Sequence, residues 1–262
     1  MRAKKSLGQH WLKSERALSV IVEAGEVSKG DVVLEIGPGN GVLTEKLLAT
    51  GARVVAVEKD DDLFKFLSQK FEKEISNGKL ELVHDDILNL ELKIENYKLI
   101  ANIPYNITGA ILKKFLGAER QPETIVLLVQ KEVAQRIVAQ DDKESILSIS
   151  VKVYGKPRYV ETVKAGSFAP MPSVDSAIIA IENISKDFFN RGSSASTVGE
   201  ERFFEMVRAG FKSKRKKLSS NLSVIFDKEK VKKTFQKLNL DDNLRAEDVG
   251  IETWQKLTKN LI

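Results

Sequence analysis

The sequence predicts an α/β protein: a mainly parallel sheet with helices on both faces, an antiparallel edge, and a small all-helical part at the C-terminus. Three observations lead there. Short β-branched runs alternate with amphipathic stretches through the first 185 residues, the pattern of successive βαβ units. The strand candidates after residue 145 have no long helix between them, which fits antiparallel strands added to one edge. Beyond residue 201 only helical patterns remain.

Taken in order, strands are expected at 32–36, 53–57, 80–84, 98–101 and 124–130. The helical patterns between and after them fall at 43–48, 63–71, 111–116 and 132–139. Residues 149–153, 159–163 and 177–181 read as the antiparallel strands. The pattern breaks at 186–201, where Arg191-Gly192-Ser193-Ser194-Ala195-Ser196-Thr197 is small, polar and aperiodic, and reads as a linker. Helices are then expected at 203–211, 218–226, 228–238 and 253–261. The division is a first domain over 1–188, a linker over 189–201 and a basic helical domain over 202–262.

Composition narrows the function. The 262 residues are 42% hydrophobic and 30% charged, as in a folded globular protein. There is no cysteine, which removes disulfide scaffolds, Cys-ligated zinc, iron–sulfur sites and thiol catalysis. The longest apolar runs, such as 125–129, are far too short to cross a bilayer. Met1-Arg2-Ala3-Lys4-Lys5 is positive but no apolar stretch follows it, so no signal peptide is expected. The expectation is a soluble, cytoplasmic protein.

The formal net charge of +5 is unevenly placed. Residues 202–262 hold 15 Lys and Arg against 8 Asp and Glu, whereas the first 201 hold 27 against 29. Within the basic part, Lys212, Lys214, Arg215, Lys216 and Lys217 put five cations in six positions. Spaced around a helix, they suit contact with an RNA phosphate backbone. The same run also fits a solvated helix face.

Val32-Val33-Leu34-Glu35-Ile36-Gly37-Pro38-Gly39-Asn40-Gly41 is a strand running into a glycine-rich turn before a helix. Glycines there let a ligand approach the backbone closely. The next strand ends in Glu58, 21 residues after Gly37, where a carboxylate can accept both hydrogen bonds of a ribose diol. This spacing indicates a nucleoside-containing cofactor, either NAD or S-adenosylmethionine. Glu35 favours the latter, because a carboxylate there can orient an ammonium group but would repel a pyrophosphate. Asp86 follows the third strand, about where an adenine amine needs an acceptor, although Asp85 and Asp86 also suit a helix cap. No Walker pattern is present.

Ala101-Asn102-Ile103-Pro104-Tyr105-Asn106 sits where the fourth strand should end, at the ligand-binding edge of such a sheet. An exocyclic amine on a base is a poor nucleophile because its lone pair is delocalised into the ring. The Asn102 side-chain oxygen and the carbonyl of Ile103 or Pro104 can accept its two N–H bonds and turn the lone pair toward a methyl group. Tyr105 would stack on the base. Phe168, in Ser167-Phe168-Ala169-Pro170-Met171-Pro172-Ser173-Val174-Asp175-Ser176, would supply the second aromatic wall, held by two prolines. By itself that loop reads as a rigid connector with Phe168 filling core.

Lys5-Ser6-Leu7-Gly8-Gln9-His10-Trp11-Leu12, Glu35-Ile36-Gly37-Pro38-Gly39, Asn102-Ile103-Pro104-Tyr105-Asn106 and the 168–176 loop resemble the ribosomal RNA adenine dimethyltransferases. Among these they look most like the small-subunit enzymes whose loss gives kasugamycin resistance. Residues 204–222 resemble that family's C-terminal domain, so the likeness spans nearly the whole chain. It implies a Rossmann-like S-adenosylmethionine-dependent methyltransferase sheet plus a small helical domain. It also implies dimethylation at N6 of two adjacent adenines near the 3′ end of small-subunit (16S) RNA, within a pre-ribosomal 30S particle, by a monomer without a metal. By motif match, His10, Leu12, Gly37, Glu58, Asp86 and Asn102 would line the cofactor site, with Gly39 in the same turn. His10 stands where many members carry Asn, and Trp11 where they carry Phe; His, like Asn, can donate a hydrogen bond. His84 receives no role. The competing readings are a large-subunit antibiotic-resistance methylase, a non-catalytic assembly factor that kept the fold, and an NAD-dependent dehydrogenase.

Overall fold

The computed structural model describes residues 10–190 and 199–262; the start of the N-terminal motif, Lys5 to Gln9, and the linker core, Arg191 to Thr197, lie outside them. The described chain forms two compact units. The first runs up to Ala134 and adds Lys156–Ile184, and the second joins Gln135–Gly155 to the residues from Ser185 onward.

The first unit contains, in chain order, β1 (Trp11–Leu12), α1 (Glu15–Ala24), β2 (Val32–Ile36), α2 (Val42–Ala49), β3 (Arg53–Glu58), α3 (Asp61–Lys70), α4 (Glu72–Ser76) and β4 (Leu80–His84). It continues with β5 (Tyr97–Asn102), α5 (Thr108–Leu116), β6 (Thr124–Gln130), the start of α6 (Lys131–Val138), β7 (Lys156–Val163), β8 (Phe168–Ala169) and β9 (Ser176–Glu182). Seven strands pair in the order β4-β3-β2-β5-β6-β9-β7. The pairs from β4 to β6 are parallel, and β9 is antiparallel to both β6 and β7.

Central strands covered on both faces must be apolar on both faces. Residues 125–129 of β6 are accordingly all buried, as are residues 33–36 of β2. The chain lays β3 and β4 on one side of β2, then crosses to place β5 and β6 on the other. Such a reversal opens a crevice beyond the carboxyl ends of the strands. Here those ends are Ile36, Glu58 and Asn102. A separate antiparallel pair, with Leu12 opposite Phe168, ties the N-terminal segment to the loop before β9.

Two local features before residue 186 depart from the sequence pattern. α1 lies outside the expected helices, yet Ser14 caps it by accepting from the Ala17 amide, and Ala17, Leu18, Ile21 and Ala24 form its buried face. Residues 149–153, expected as a strand, lie in and just after α7 (Ile146–Lys152) of the second unit. The β-branched run is overridden by a reciprocal cap, in which Ser145 Oγ accepts from the Ser148 amide (3.1 Å) and Ser148 Oγ accepts from the Ser145 amide (2.7 Å).

The second unit continues with α8 (Asp187–Asn190), α9 (Glu200–Gly210), α10 (Leu218–Leu222), α11 (Lys228–Lys237) and α12 (Ile251–Leu261). Trp254, Phe203, Phe235, Met206, Leu222 and Leu257 form its core. A Cβ on Gly210 would stand 2.3 Å from the Trp254 ring, so only glycine lets α9 approach it. The 135–155 segment groups here through Glu144, whose amide donates to the Glu247 carbonyl (2.8 Å), and Tyr154, whose hydroxyl donates to Glu200 (2.6 Å). Lys143 also pairs with Asp248.

The basic run is not helical. Lys212 to Lys217 form an exposed turn between α9 and α10, and the 218–226 helix shortens to α10. Asn221 Nδ2 donates to the carbonyls of Gly210 (2.6 Å) and Ser213 (3.0 Å), closing the turn, while Lys217 is extended at the start of α10.

Candidate active site

A cavity of about 240 Å³ opens at the carboxyl ends of β2, β3 and β5. The expected cofactor residues meet there: His10 and Leu12 from the N-terminal segment, Glu35, Gly37 and Gly39 from β2 and its turn, and Glu58, Asp86 and Asn102 from the following strand ends.

The glycine turn is fixed from several sides. The Gly37 amide donates to the Val57 carbonyl (2.9 Å), and Lys70 Nζ donates to the Asn40 carbonyl (2.7 Å). Gly39 has φ +61, and a Cβ there would sit 3.3 Å from the Trp11 indole. Glycine at 39 therefore satisfies both a left-handed backbone and the close packing of Trp11.

Four carboxylates line this cavity, Glu35, Glu58, Asp85 and Asp86, and the three expected at the cofactor site differ in their surroundings. Glu35 is 1% exposed, and its Oε2 accepts from Thr44 Oγ1 at 2.6 Å. Burial raises its pKa to about 8, opposed by the Thr44 bond, with Glu58 raising it further and Lys70 lowering it. Glu58 is also buried. Its Oε1 accepts from the Asp60 amide (2.9 Å) and its Oε2 from the Gly39 amide (3.2 Å). Burial raises its pKa against those bonds. Asp86 Oδ2 accepts from Lys59 Nζ (2.8 Å) and Oδ1 from the Leu88 amide (3.0 Å), and the Lys59 bond holds its carboxyl below the ordinary range. Asp86 thus borders the cavity and also caps the short turn at 87–89.

This donor set suits an adenosyl cofactor with a cationic end. Glu58 keeps lone pairs beyond its two backbone bonds for a diol, and Glu35 is a buried acid that an ammonium group would ionise. The Trp11 indole N–H, also at the cavity wall, is buried without a hydrogen-bond partner among the described residues. Such a donor is more often paired when its site is filled.

On the target side, Asn102 Nδ2 donates to the His10 carbonyl at 3.2 Å. That contact engages the amide nitrogen and leaves Oδ1 as the accepting end, as recognition of an amine requires. Pro104 and Tyr105 line the same cavity. The Tyr105 ring lies nearly parallel to the His10 imidazole, with centroids 6.0 Å apart and planes at 18°. His10 Nδ1 donates to the Pro170 carbonyl at 2.8 Å.

Phe168 does not join them. It is 2% exposed and part of the core, because its pairing with Leu12 turns the ring inward. The expected sandwich of Tyr105 and Phe168 is absent from this structure, and His10 is the ring facing Tyr105. The five cations at 212–217 belong to the second unit.

Three further side chains, to which the sequence analysis gives no role, support the site: Thr44 on Glu35, Lys59 on Asp86, and Ser176 on Tyr105 through a 2.6 Å hydroxyl contact. Lys59 follows Glu58 directly, so its place at the strand end is a usable signal; Thr44 and Ser176 need tertiary contacts. His84 stacks on Phe64 (4.5 Å, 17°) and its Nε2 lies 3.0 Å from Asp61 Oδ1, which fastens the start of α3 to the end of β4.

Two solved structures share the architecture. One is described as a dimethyladenosine transferase from Plasmodium falciparum, at 25% identity and TM-score 0.82 over 96% of this chain and 99% of that one. The other is described as the 23S rRNA methyltransferase ErmE, at 27% identity and TM-score 0.77 with the same coverage. Fold and cavity thus define the class: a Rossmann-like methyltransferase with an appended helical unit. The sequence pattern of the family described as Ribosomal RNA adenine dimethylase matches residues 1–262, and the chain belongs to that family. Proteins named Ribosomal RNA small subunit methyltransferase A are similar over almost the entire length. One from Dehalococcoides mccartyi (strain 195) is 39% identical over 98% of this chain and 88% of its own, and one from Nostoc sp. PCC 7120 is 37% identical over 100% and 98%.

Proposed function

We propose that this protein transfers methyl groups from S-adenosylmethionine to N6 of two adjacent adenines near the 3′ end of small-subunit ribosomal RNA, giving N6,N6-dimethyladenosines during ribosome assembly. The observation that carries the reading is Asn102. It stands at the carboxyl end of β5 beside the cavity, its Nδ2 engaged by His10 and its Oδ1 left to accept. Relatives that share 37–39% identity and bear the small-subunit methyltransferase name support the choice of RNA.

When bound, S-adenosylmethionine supplies a methyl group already activated on a sulfonium. Glu58 would hold its ribose diol, Asp86 its adenine amine and Glu35 its ammonium end, with Leu12 and Gly37 closing around it. Asn102 accepts one N–H of the target amine and the Ile103 or Pro104 carbonyl the other, while Tyr105 carries the face of the base. The base leaves its stack to reach this pocket. Orientation of two partners can supply roughly 7–11 kcal/mol in favourable intramolecular reactions, so no side chain is assigned as a general base, and the amine proton leaves to water. A second methylation proceeds on an amine with one N–H fewer, which Asn102 can still accept. The turn at 212–217 would hold RNA phosphates, with a pre-ribosomal 30S particle as the physiological partner.

The likeness to ErmE favours one alternative, a large-subunit RNA target with the same chemistry. Primer extension across both ribosomal RNAs from a deletion strain separates them. Loss of the paired stops near the small-subunit 3′ end supports the proposal, and loss of a large-subunit stop overturns it.

A further inference from the structure

Ser176 opens β9, opposite Gln130 of β6 and Val163 of β7, and is 0% exposed. Its neighbours along the strand, Ala177 to Ile181, are all buried and apolar. Its Oγ lies 2.6 Å from the Tyr105 hydroxyl, its one hydrogen-bonding side-chain partner among the described residues. A hydroxyl buried without a partner costs about 1–3 kcal/mol, so this serine is tolerated in the sheet because the tyrosine reaches it.

Tyr105 sits in a short 3-10 turn beyond the end of β5, where its ring would otherwise turn about two side-chain torsions. Three contacts define its place. Thr108 Oγ1, itself buried, donates to the Tyr105 carbonyl at 3.1 Å, the His10 imidazole faces the ring, and Ser176 holds the far end. Thr108 fixes only the backbone and His10 faces one side. Ser176 is the contact that sets the direction of the ring axis, and it does so from a fully buried position at the start of β9, paired on both sides.

We propose that Ser176 is a positioning residue for methyl transfer: its buried hydroxyl anchors the Tyr105 phenol, so that the ring stands as a fixed platform for the target base. The assignment rests on the adenine-methylating function proposed above. It explains why the last residue of the 168–176 loop motif is a hydroxyl residue although it touches neither cavity nor solvent. A platform misplaced by about 1 Å can cost on the order of 100-fold in rate, so loss of the anchor should be visible in turnover and not in cofactor affinity.

The test compares full-length wild type, Ser176→Ala, Tyr105→Phe and the double variant. The chain has four tyrosines, so a spectrum of protein labelled with carbon-13 at the tyrosine ζ position has few signals. The Tyr105 signal is assigned by its loss in Tyr105→Phe. Ser176→Ala is expected to shift that signal alone, to slow single-turnover methyl transfer to small-subunit particles about tenfold, and to leave the calorimetric Kd for S-adenosylmethionine within about twofold. Tyr105→Phe should slow transfer by a similar factor, and the double variant should be no slower than either, because both changes delete one bond. Wild-type turnover in Ser176→Ala, or multiplicative losses in the double variant, overturns the proposal. Should Ser176→Ala fail to fold, Tyr105→Phe decides alone: an approximately tenfold loss supports the anchor and an unchanged rate rejects it. Activity of the wild type judges the functional reading, whereas the ratio of variant to wild type judges Ser176.

Discussion

Glu35 gives the cavity a proton that cofactor binding should expel. Its carboxyl is enclosed, with Thr44 as its hydrogen-bonding partner, and titrates at about 8. At pH 7 a group with that midpoint is about nine-tenths protonated. An ammonium group placed beside it favours the carboxylate, so binding should release up to about 0.9 proton at pH 7, and fewer as the pH rises, where Glu35 is already ionised and the ligand amine itself takes up a proton. Calorimetric titrations of S-adenosylmethionine in buffers of different ionisation enthalpy measure this number directly, as the slope of heat against buffer enthalpy. Glu35→Gln keeps the shape and can still accept from Thr44. Its slope at pH 7 should fall to whatever Glu58 contributes. The same group sets a trend in the ligand-free protein. Between about 4.5 and 8 the folded chain binds a proton that the unfolded chain does not, so stability should decline as pH rises through that window, less so in Glu35→Gln. Buffer-independent heats for the wild type at pH 7, or identical slopes for both proteins, would refute the placement of the ammonium end at Glu35.

Glu58→Ala should raise the S-adenosylmethionine Kd by roughly 10- to 100-fold, since about 1.5–3 kcal/mol attends a hydrogen bond to a charged group; calorimetry showing an unchanged Kd would place the diol elsewhere. Gly210→Ala forces a methyl against Trp254 and should destabilise the helical unit by about 1–3 kcal/mol, read from tryptophan near-ultraviolet dichroism during denaturant unfolding. Replacing Lys214, Arg215 and Lys216 by Gln should weaken RNA binding and lower the salt slope of log K by about one for each phosphate left without its cation. A slope equal to that of the wild type would show that the turn faces no phosphate.

The parallel sheet is legible because its strands are buried on both faces, so Val32 to Ile36 and Ile125 to Val129 announce themselves without any tertiary information. The cofactor turn is equally plain, since Gly37, Glu58 and Asn102 fall at the ends of β2, β3 and β5, which the topology makes neighbours. Pattern and structure part where local signals compete. The β-branched residues at 149–153 favour a strand, but the Ser145–Ser148 cap and the hydrogen bonding of Glu144 make them part of a helix and its end. The cations at 212–217 resemble a helix face, but Asn221 gathers the carbonyls of Gly210 and Ser213 into a turn. Phe168 is an apt stacking ring by type and loop, yet pairing of Leu12 with Phe168 buries it. Ser176 and Thr44 each act through one partner in another element, and a single such partner leaves no periodicity to read.

The most direct measurement is methyl transfer by wild type and Asn102→Ala, each saturated with labelled S-adenosylmethionine, on small-subunit particles from cells lacking the protein, with the modified adenines mapped and quantified. Wild type should convert the two neighbouring adenines near the 3′ end to N6,N6-dimethyladenosine, and Asn102→Ala should bind cofactor while transferring essentially nothing. Equal turnover by both proteins, or label at a different base, would contradict an amine gripped by Asn102 as the basis of the reaction.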